Sequence, residues 1–415
     1  MLDIKFTRDN LKEVKKAVKD RNKDIDVEHL LVLDDQRRKI ITEMETMRAQ
    51  QNKASKEAAG AKENREDLKA LKEKIKNLQA QLGQTEKEYQ ELMLQMPNMP
   101  DKDVPIGKDE SGNKVVRKSG KPPEFSFKPK DHLEIGESLG IIDVKQAANV
   151  SGSRFCYLKG KAALLQMALL RYAWDILLKK GFTPVIPPVL SKIETVLRTG
   201  HPEAVSDDAY RTTADDLALV GSSEQSLMPM HMDQVLEAKA LPARYTGYST
   251  CFRREAGTYG KDTRGIFRQH QFDKVEMVCL TKPEDSEKEF DFLLSIQEEL
   301  VGGLGLPYQV VNVCTGDMSF ASAKQYDLEV WLPSQEKYRE THSLNNCRDF
   351  QTRRLNIKYK TPDGKKELTH ALNATAFAMG RTLIAILENY QQKDGSVLVP
   401  KALQKYCGFS TIRAK

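Results

Sequence analysis

The sequence predicts an α+β protein in which a long antiparallel α-helical hairpin, a coiled coil folded on itself, precedes a domain built on an antiparallel β-sheet flanked by helices. Three observations lead there. Two segments near the amino terminus carry apolar residues on alternating three- and four-residue steps, with almost no Gly or Pro. Pro97, Pro100 and Pro105 then forbid further helix. From about Asp131 to the end, helical stretches alternate with short β-rich runs and no regular helix crossovers, the pattern of an antiparallel sheet with helices.

In the first heptad segment Leu30, Leu33, Ile40, Met44 and Met47 form the seam, with Arg37 occupying one step. In the second, Leu68, Leu71, Ile75, Leu78, Leu82, Tyr89, Leu92 and Met96 do the same, with Thr85 the weak step. Between them "EAAGAKENRED" supplies a stop near Gly60 and a new start, with Asn64 as an N-cap candidate. Arms of roughly 30 residues would each reach about 45 Å. The same heptads would also serve a coiled coil between two chains; the short turn and the matched arms favour the hairpin. Acids and bases nearly balance along it, so charge alone names no partner.

Residues 101–130 read as a linker or a loosely folded leading strand, polar and punctuated by Gly112, Gly120, Pro122 and Pro123. The run "AALLQMALLRYAWDILL" is interrupted by Gln166, Arg171 and Asp175 at helical spacing. It is therefore an amphipathic core helix and not a membrane span. "PYQVVNVCTG", "YDLEVWLP" and "TRRLNIKYK" are the strand candidates.

The 415 residues suffice for two or three domains. A composition 40% hydrophobic and 30% charged is that of a folded, soluble chain, and a net charge of +6 permits a nucleic-acid partner without requiring one. The amino terminus has no signal-peptide pattern. The six cysteines form no C-x-x-C pair, which argues against a zinc site or a disulfide framework and favours a cytoplasmic location.

Four stretches carry candidate chemistry. In "CFRREAGTYGKDTRGIFRQHQFDKVEM" two strands are expected to flank a loop of turn formers. Alternation groups Arg253 with Glu255, and Arg268 with Phe272 and Glu276. Guanidiniums for phosphate, an aromatic plate for a base and a carboxylate for an exocyclic amine make a nucleotide site plausible; an exposed salt-bridged hairpin is the alternative. In "LNATAFAMGRTLIAILENYQQ" a helix with Ala376, Met379, Leu383, Ile386 and Leu387 on its core face would carry Arg381. In "EKYRETHSLNNCRDF" Glu340 and Ser343 offer hard oxygens of the kind Mg²⁺ takes when shared with phosphates, while a lone His342 is more often structural. In "DLALVGSSEQSL" the residues Ser222, Ser223 and Glu224 would suit a small ammonium-bearing ligand. Taken alone they read more simply as a helix N-cap.

In order, these stretches resemble the seryl-tRNA synthetases of the bacterial and general type, which are class II aminoacyl-tRNA synthetases. "GFTPVIPPVL" resembles motif 1, with Pro188 at its dimer-interface proline. "FRREAGTYGKDTRGIFRQHQF" resembles motif 2 in its extended, highly specific form, and "ALNATAFAMGRTLIAILENYQ" resembles motif 3. The resemblance spans nearly the whole chain. It implies an ATP-dependent serine–tRNA ligase: L-serine is activated to seryl-adenylate with release of pyrophosphate, then transferred to the 3′ end of a serine tRNA, with selenocysteine tRNA a second candidate. It implies a tRNA-binding helical domain over 1–100 with its arm at about 28–96, a class II catalytic domain over 131–415, a homodimer, and ATP with Mg²⁺.

By position in the motifs, Arg253, Arg254, Glu255, Arg268, Phe272, Glu340, Thr341, His342, Ser343 and Arg381 would bind ATP, with Glu340 and Ser343 on the metal. Ser222, Ser223, Glu224, Glu276 and Thr375 would bind serine. Three departures stand out: Ser-Ser-Glu replaces the usual Thr-Ala-Glu, Thr-His-Ser-Leu-Asn follows Glu340, and Thr375 stands where Ser is common. The other readings are a non-catalytic RNA-binding paralogue and a ligase for a carrier protein. The charged positions speak against the first and the full-length arm against the second.

Overall fold

The computed structural model describes residues 1–57, 64–201, 208–256 and 264–414, in two compact units, Met1–Met99 and Pro100–Lys415. In the first unit, two short helices, α1 (Ile4–Asp9) and α2 (Leu11–Asp20), precede two long ones, α3 (Val27–Glu57) and α4 (Asn64–Gln95), which pack on each other. The seam residues do what the heptads require. Leu30, Leu33, Met44, Ile75, Tyr89 and Met96 are buried. Arg37, the polar step, lays its guanidinium 4.8 Å from the Tyr89 ring centroid, so the charge stays on an aromatic face. The turn expected around Gly60 lies outside the described residues.

The second unit is organised by an eight-stranded sheet: β1 (Lys114–Ser119), β2 (Thr183–Val185), β3 (Ala243–Phe252), β4 (Gln271–Thr281), β5 (Tyr308–Asn312), β6 (Lys324–Leu332), β7 (Lys337–Arg348) and β8 (His370–Ala378). Its order is β1-β5-β6-β7-β8-β4-β3-β2, antiparallel throughout except for the parallel β2–β3 edge. The segment 101–130 thus contributes an edge strand.

Five helices matter to the site: α5 (Lys161–Lys179), α6 (Glu224–Leu227), α7 (Ser286–Gly303), α8 (Phe350–Leu355) and α9 (Met379–Asn389). One continuous core joins Leu165, Leu169 and Leu177 of α5, Phe290 and Leu293 of α7, and Leu383 and Ile386 of α9 to the sheet residues Met277, Leu328, Leu344 and Phe377. Buried on that helical side, the sheet presents its other face to the site. Among the described residues, no helix is long and apolar enough to cross a membrane.

Three local expectations are corrected. Thr352–Leu355 of "TRRLNIKYK" close helix α8, and the strand begins only at Lys358, because the left-handed Asn356 ends the helix first. Ala376 lies in β8, since the helix of the third motif starts at Met379. Finally, β3 stops at Phe252 and β4 starts at Gln271, so Arg253, Glu255 and Arg268 sit beyond the paired strands. One further bond, from the Arg253 N–H to the His270 carbonyl at 3.0 Å, holds the mouth of this hairpin together.

Candidate active site

Sheet register assembles the site. On β4, Glu276 lies opposite Gly247 of β3 and Thr375 of β8; further along, Asn345 of β7 pairs with Asn373 of β8, and Ser343 pairs with Asp327 of β6. Two cavities of about 430 and 330 Å³ open over this face. They share Arg253, Glu255, Arg268, Lys274 and Ser343 in their linings, so they are two compartments of one site.

The larger compartment is lined by Ser222, Glu224, Asn345 and Asn373. Ser223 occupies the N-cap position of α6, but its hydroxyl makes no cap bond and is buried without a hydrogen-bond partner among the described residues. The run does start a helix, but it is the Ser222 hydroxyl, not that of Ser223, that accepts the Glu224 N–H, at 3.4 Å. The same Ser222 hydroxyl donates to Glu276 Oε2 at 3.1 Å.

Glu224 is 6% exposed, and its Oε1 accepts from Gln351 Nε2 at 2.6 Å and from Asn373 Nδ2 at 2.9 Å. Burial would raise its pKa, but His201, with Nε2 at 3.5 Å from Oε2, the amide of Gln351 and the charge of Lys274 outweigh that cost and hold it below the usual carboxylate range. Glu276, 1% exposed, goes the other way. Burial and the Glu224 charge raise its pKa against the opposing pull of Lys274 and Ser222. Its Oε1 has no hydrogen-bond partner among the described residues. Two neighbouring carboxylates are thereby pushed in opposite directions, Glu224 down and Glu276 up.

The smaller compartment is lined by Phe272, Glu340, Thr341, Thr375 and Arg381 along with the shared residues. Arg253 sits 5.5 Å from the Phe272 ring centroid. Arg268 Nη1 bonds Glu255 Oε2 at 3.0 Å, and Glu255 itself adopts a left-handed backbone (φ 51°), a conformation a non-glycine residue holds only under constraint. Arg381 lies 4.9 Å from the Phe267 ring centroid and 3.1 Å from Glu340 Oε2. Against the cost of burial, Arg381 keeps the Glu340 carboxyl below its ordinary range. Ser343 Oγ is 3.3 Å from Thr375 Oγ1.

Four residues predicted to bind ATP or serine line neither compartment: Ser223 and Glu276, both buried, and His342 and Arg254. His342 is 1% exposed, takes a hydrogen bond with Thr341 at 2.7 Å and stacks edge-on with Phe377, and burial pushes its pKa down to about 3, so it is a neutral structural group. Arg254 also lines neither; its guanidinium lies 5.9 Å from the Tyr210 ring. Pro188 is exposed beyond β2, its carbonyl accepting from Ser226 Oγ at 2.7 Å. Sequence reasoning missed Gln351, Asn373 and Lys274. Nothing in the local sequence marks the first two, but Lys274 lies on the even-numbered face already carrying Phe272 and Glu276.

No group of three or more His, Cys, Asp or Glu able to hold a metal occurs among the described residues. Glu340 and Ser343 nonetheless put a carboxylate and a hydroxyl on one compartment, with Asp327 beside them. Such a sparse oxygen set fits Mg²⁺ shared with substrate phosphates, not a closed protein cage.

An antiparallel sheet with an arginine, an aromatic plate and a second arginine on its open face, fed by a strand–loop–strand and closed by a strand–helix, defines the core of a class II aminoacyl-tRNA synthetase. Residues 207–390 match the family described as the tRNA synthetase class II core domain (G, H, P, S and T), and residues 1–100 match the seryl-tRNA synthetase N-terminal domain. The chain is 43% identical to the serine–tRNA ligase of Thermodesulfovibrio yellowstonii over the full length of both. Two solved structures are similar end to end. Seryl-tRNA synthetase from Pyrococcus horikoshii complexed with ATP has a TM-score of 0.92 at 38% identity, each chain wholly covered. The cytoplasmic serine–tRNA ligase of Naegleria fowleri in complex with AMP has 0.87 at 34%, covering 100% of this chain and 99% of its own. The chain belongs to the seryl-tRNA synthetase family.

Proposed function

We propose that the chain charges serine tRNA in two steps, activating L-serine with ATP and then transferring it to the terminal ribose. The observation carrying this reading is the pair of joined compartments, with carboxylates at one end and arginines around Phe272 at the other. Glu224, kept ionised, holds the serine ammonium. Glu276, with an unpartnered oxygen, takes the serine hydroxyl beside Ser222 and Thr375. At the other end Phe272 stacks on adenine, Glu255 meets its amino group, and Arg253, Arg268 and Arg381 hold the phosphates. Glu340 and Ser343 would hold Mg²⁺, which when bound neutralises charge on the phosphate oxygens.

In the first step a serine carboxylate oxygen bonds to the α-phosphorus as the bond to the β-phosphate bridge breaks, and pyrophosphate leaves with the electron pair. In the second, a ribose hydroxyl oxygen of the tRNA bonds to the acyl carbon as the acyl–phosphate bond breaks; AMP departs with the electron pair, and its phosphate takes up the hydroxyl proton. No side-chain nucleophile is needed; the site works by aligning reactants and by fixed charges facing the phosphoryl oxygens.

A buried carboxylate awaiting a hydroxyl is left unpaired by alanine, and sites of this logic discriminate by roughly 10⁴–10⁵. The helical arm recognises the backbone and shape of the tRNA. The chain acts as a cytoplasmic homodimer through the motif 1 edge, where strand β2 has a free side and Ile186 and Leu190 are exposed apolar residues. The test is aminoacylation of serine and alanine tRNA transcripts with labelled L-serine. Labelling of the serine transcript alone is expected, and no labelling by folded protein overturns the reading.

A further inference from the structure

The row of side chains on β4 contains a cation with no role so far. Phe272, Lys274 and Glu276 alternate along the strand, so they share one face at steps of about 7 Å. Phe272 marks the base end of the site and Glu276 the serine end. Lys274 stands between them, where the serine carboxylate must meet the α-phosphate.

Of the six residues lining both compartments, which include Ser319, Lys274 is the buried one, at 8% exposure. Its ammonium is ion-paired with Glu276 Oε2. It also favours the ionised forms of Glu224 and Glu340, so its charge reaches the carboxylates at both ends of the site. An ammonium carries three N–H donors, and the contact with Glu276 uses one. The arginines nearby are engaged differently: Arg268 is bonded to Glu255, and Arg253 Nε donates to the Gly221 carbonyl at 3.2 Å.

We infer that Lys274 is a catalytic residue of the activation step, its ammonium binding the carboxylate of L-serine beside the α-phosphate. This rests on the serine-activating reading above. The need is electrostatic. A ligand carboxylate entering the larger compartment meets the ionised Glu224 that lines it, and a buried cation removes that barrier. As the carboxylate oxygen bonds to phosphorus and the bridge to the β-phosphate breaks, charge moves from the carboxylate onto the phosphoryl oxygens and then onto pyrophosphate. Lys274 remains protonated and faces that charge throughout, and no proton is transferred.

The competing role is that of a counter-ion for buried Glu276 alone. Serinol separates the two, because it keeps the ammonium and a hydroxyl of serine but has no carboxylate. Calorimetry on the full-length wild-type protein should show L-serine binding at least about tenfold tighter than serinol, the scale of one hydrogen bond to a charged group. In Lys274→Gln, whose amide still donates to Glu276, that ratio should fall to about one while serinol binding changes by less than about threefold. The rate of serine-dependent ATP–pyrophosphate exchange should fall on the order of 10²–10³-fold, the cost of removing one such donor. Lys274→Arg should recover part of both. Equal weakening of serine and serinol in Lys274→Gln would overturn the inference and leave only the counter-ion role. Equal affinities in the wild-type protein would overturn it without recourse to any variant. Wild-type exchange with serine separates either result from a failure of the serine-activating reading itself.

Discussion

Glu224→Gln isolates the ammonium site with almost no change of shape. The Glu224 carboxylate has two unlike sides. Its Oε1 faces two donors, Gln351 Nε2 at 2.6 Å and Asn373 Nδ2 at 2.9 Å, while Oε2 faces His201 at 3.5 Å. A glutamine must keep its carbonyl oxygen toward the two amide donors, because turning its NH₂ there would set three donor groups against one another. The NH₂ therefore replaces Oε2. The fold keeps both internal bonds, so the melting temperature should move by no more than about 3 °C.

The ligand loses a charge-assisted acceptor, about 1.5–3 kcal/mol, which is about a 10- to 150-fold rise in the KM for serine. The assay is ATP–pyrophosphate exchange at varied serine and at varied ATP. The KM for ATP should stay within about twofold, since none of the nucleotide-side residues contacts Glu224. A serine KM within twofold of wild type, or equal rises for serine and ATP, would refute the assignment.

Three further predictions follow from the same geometry. In Gly247→Ala the new Cβ would lie 2.6 Å from Leu227 Cδ1 and 3.0 Å from Ser223 Oγ, displacing the Ser-Ser-Glu turn. Denaturant unfolding should show about 1–3 kcal/mol of lost stability, and exchange a raised serine KM. Arg268→Met removes the bond to Glu255 and a phosphate ligand together, so the KM for ATP should rise about tenfold or more while serine binding without ATP, read by calorimetry, is unchanged. Burial, first, holds the pKa of His370 below 6.5 in the fold. Between the folded and unfolded values the unfolded chain binds more protons, so this contribution is present above about pH 6.5 and is lost as pH falls below it. Unfolding midpoints of His370→Gln should therefore decline less steeply than those of wild type between pH 7 and 5; parallel curves would contradict this.

The arm was legible because the 3–4 spacing of Leu30, Leu33, Ile75 and Met96 is a property of one helix and its nearest neighbour. The sheet was less so. "TRRLNIKYK" places Leu, Ile and Tyr at alternating positions, yet its first residues finish a helix that tertiary contacts hold in place: Arg354 Nη1 donates to the Leu197 carbonyl at 3.2 Å and Gln351 Nε2 to the Thr199 carbonyl at 2.8 Å. Ala376 fits a helical face by spacing but belongs to β8, where Thr375 must meet Glu276.

Within the site, chemistry concentrated in one stretch could be read. Chemistry assembled across the chain could not: Gln351 and Asn373 converge on Glu224 only through register and the placement of α8. His342 looked functional because it stands between Thr341 and Ser343. Strand alternation puts its ring on the opposite face, against Phe377. Spacing could not tell which serine of the Ser-Ser-Glu run meets the helix: Ser222 accepts the Glu224 N–H and also reaches Glu276, while the Ser223 hydroxyl makes no cap bond.

The most direct measurement of the central claim is amino-acid-dependent ATP–pyrophosphate exchange by the wild-type protein without tRNA, using L-serine against alanine, threonine and cysteine. Exchange with serine well above the other three is the predicted result, because alanine has no hydroxyl for the unpartnered oxygen of Glu276, the thiol of cysteine is a weaker donor, and threonine brings an additional methyl group. Exchange favouring another of the four, or none from folded protein, would contradict the account.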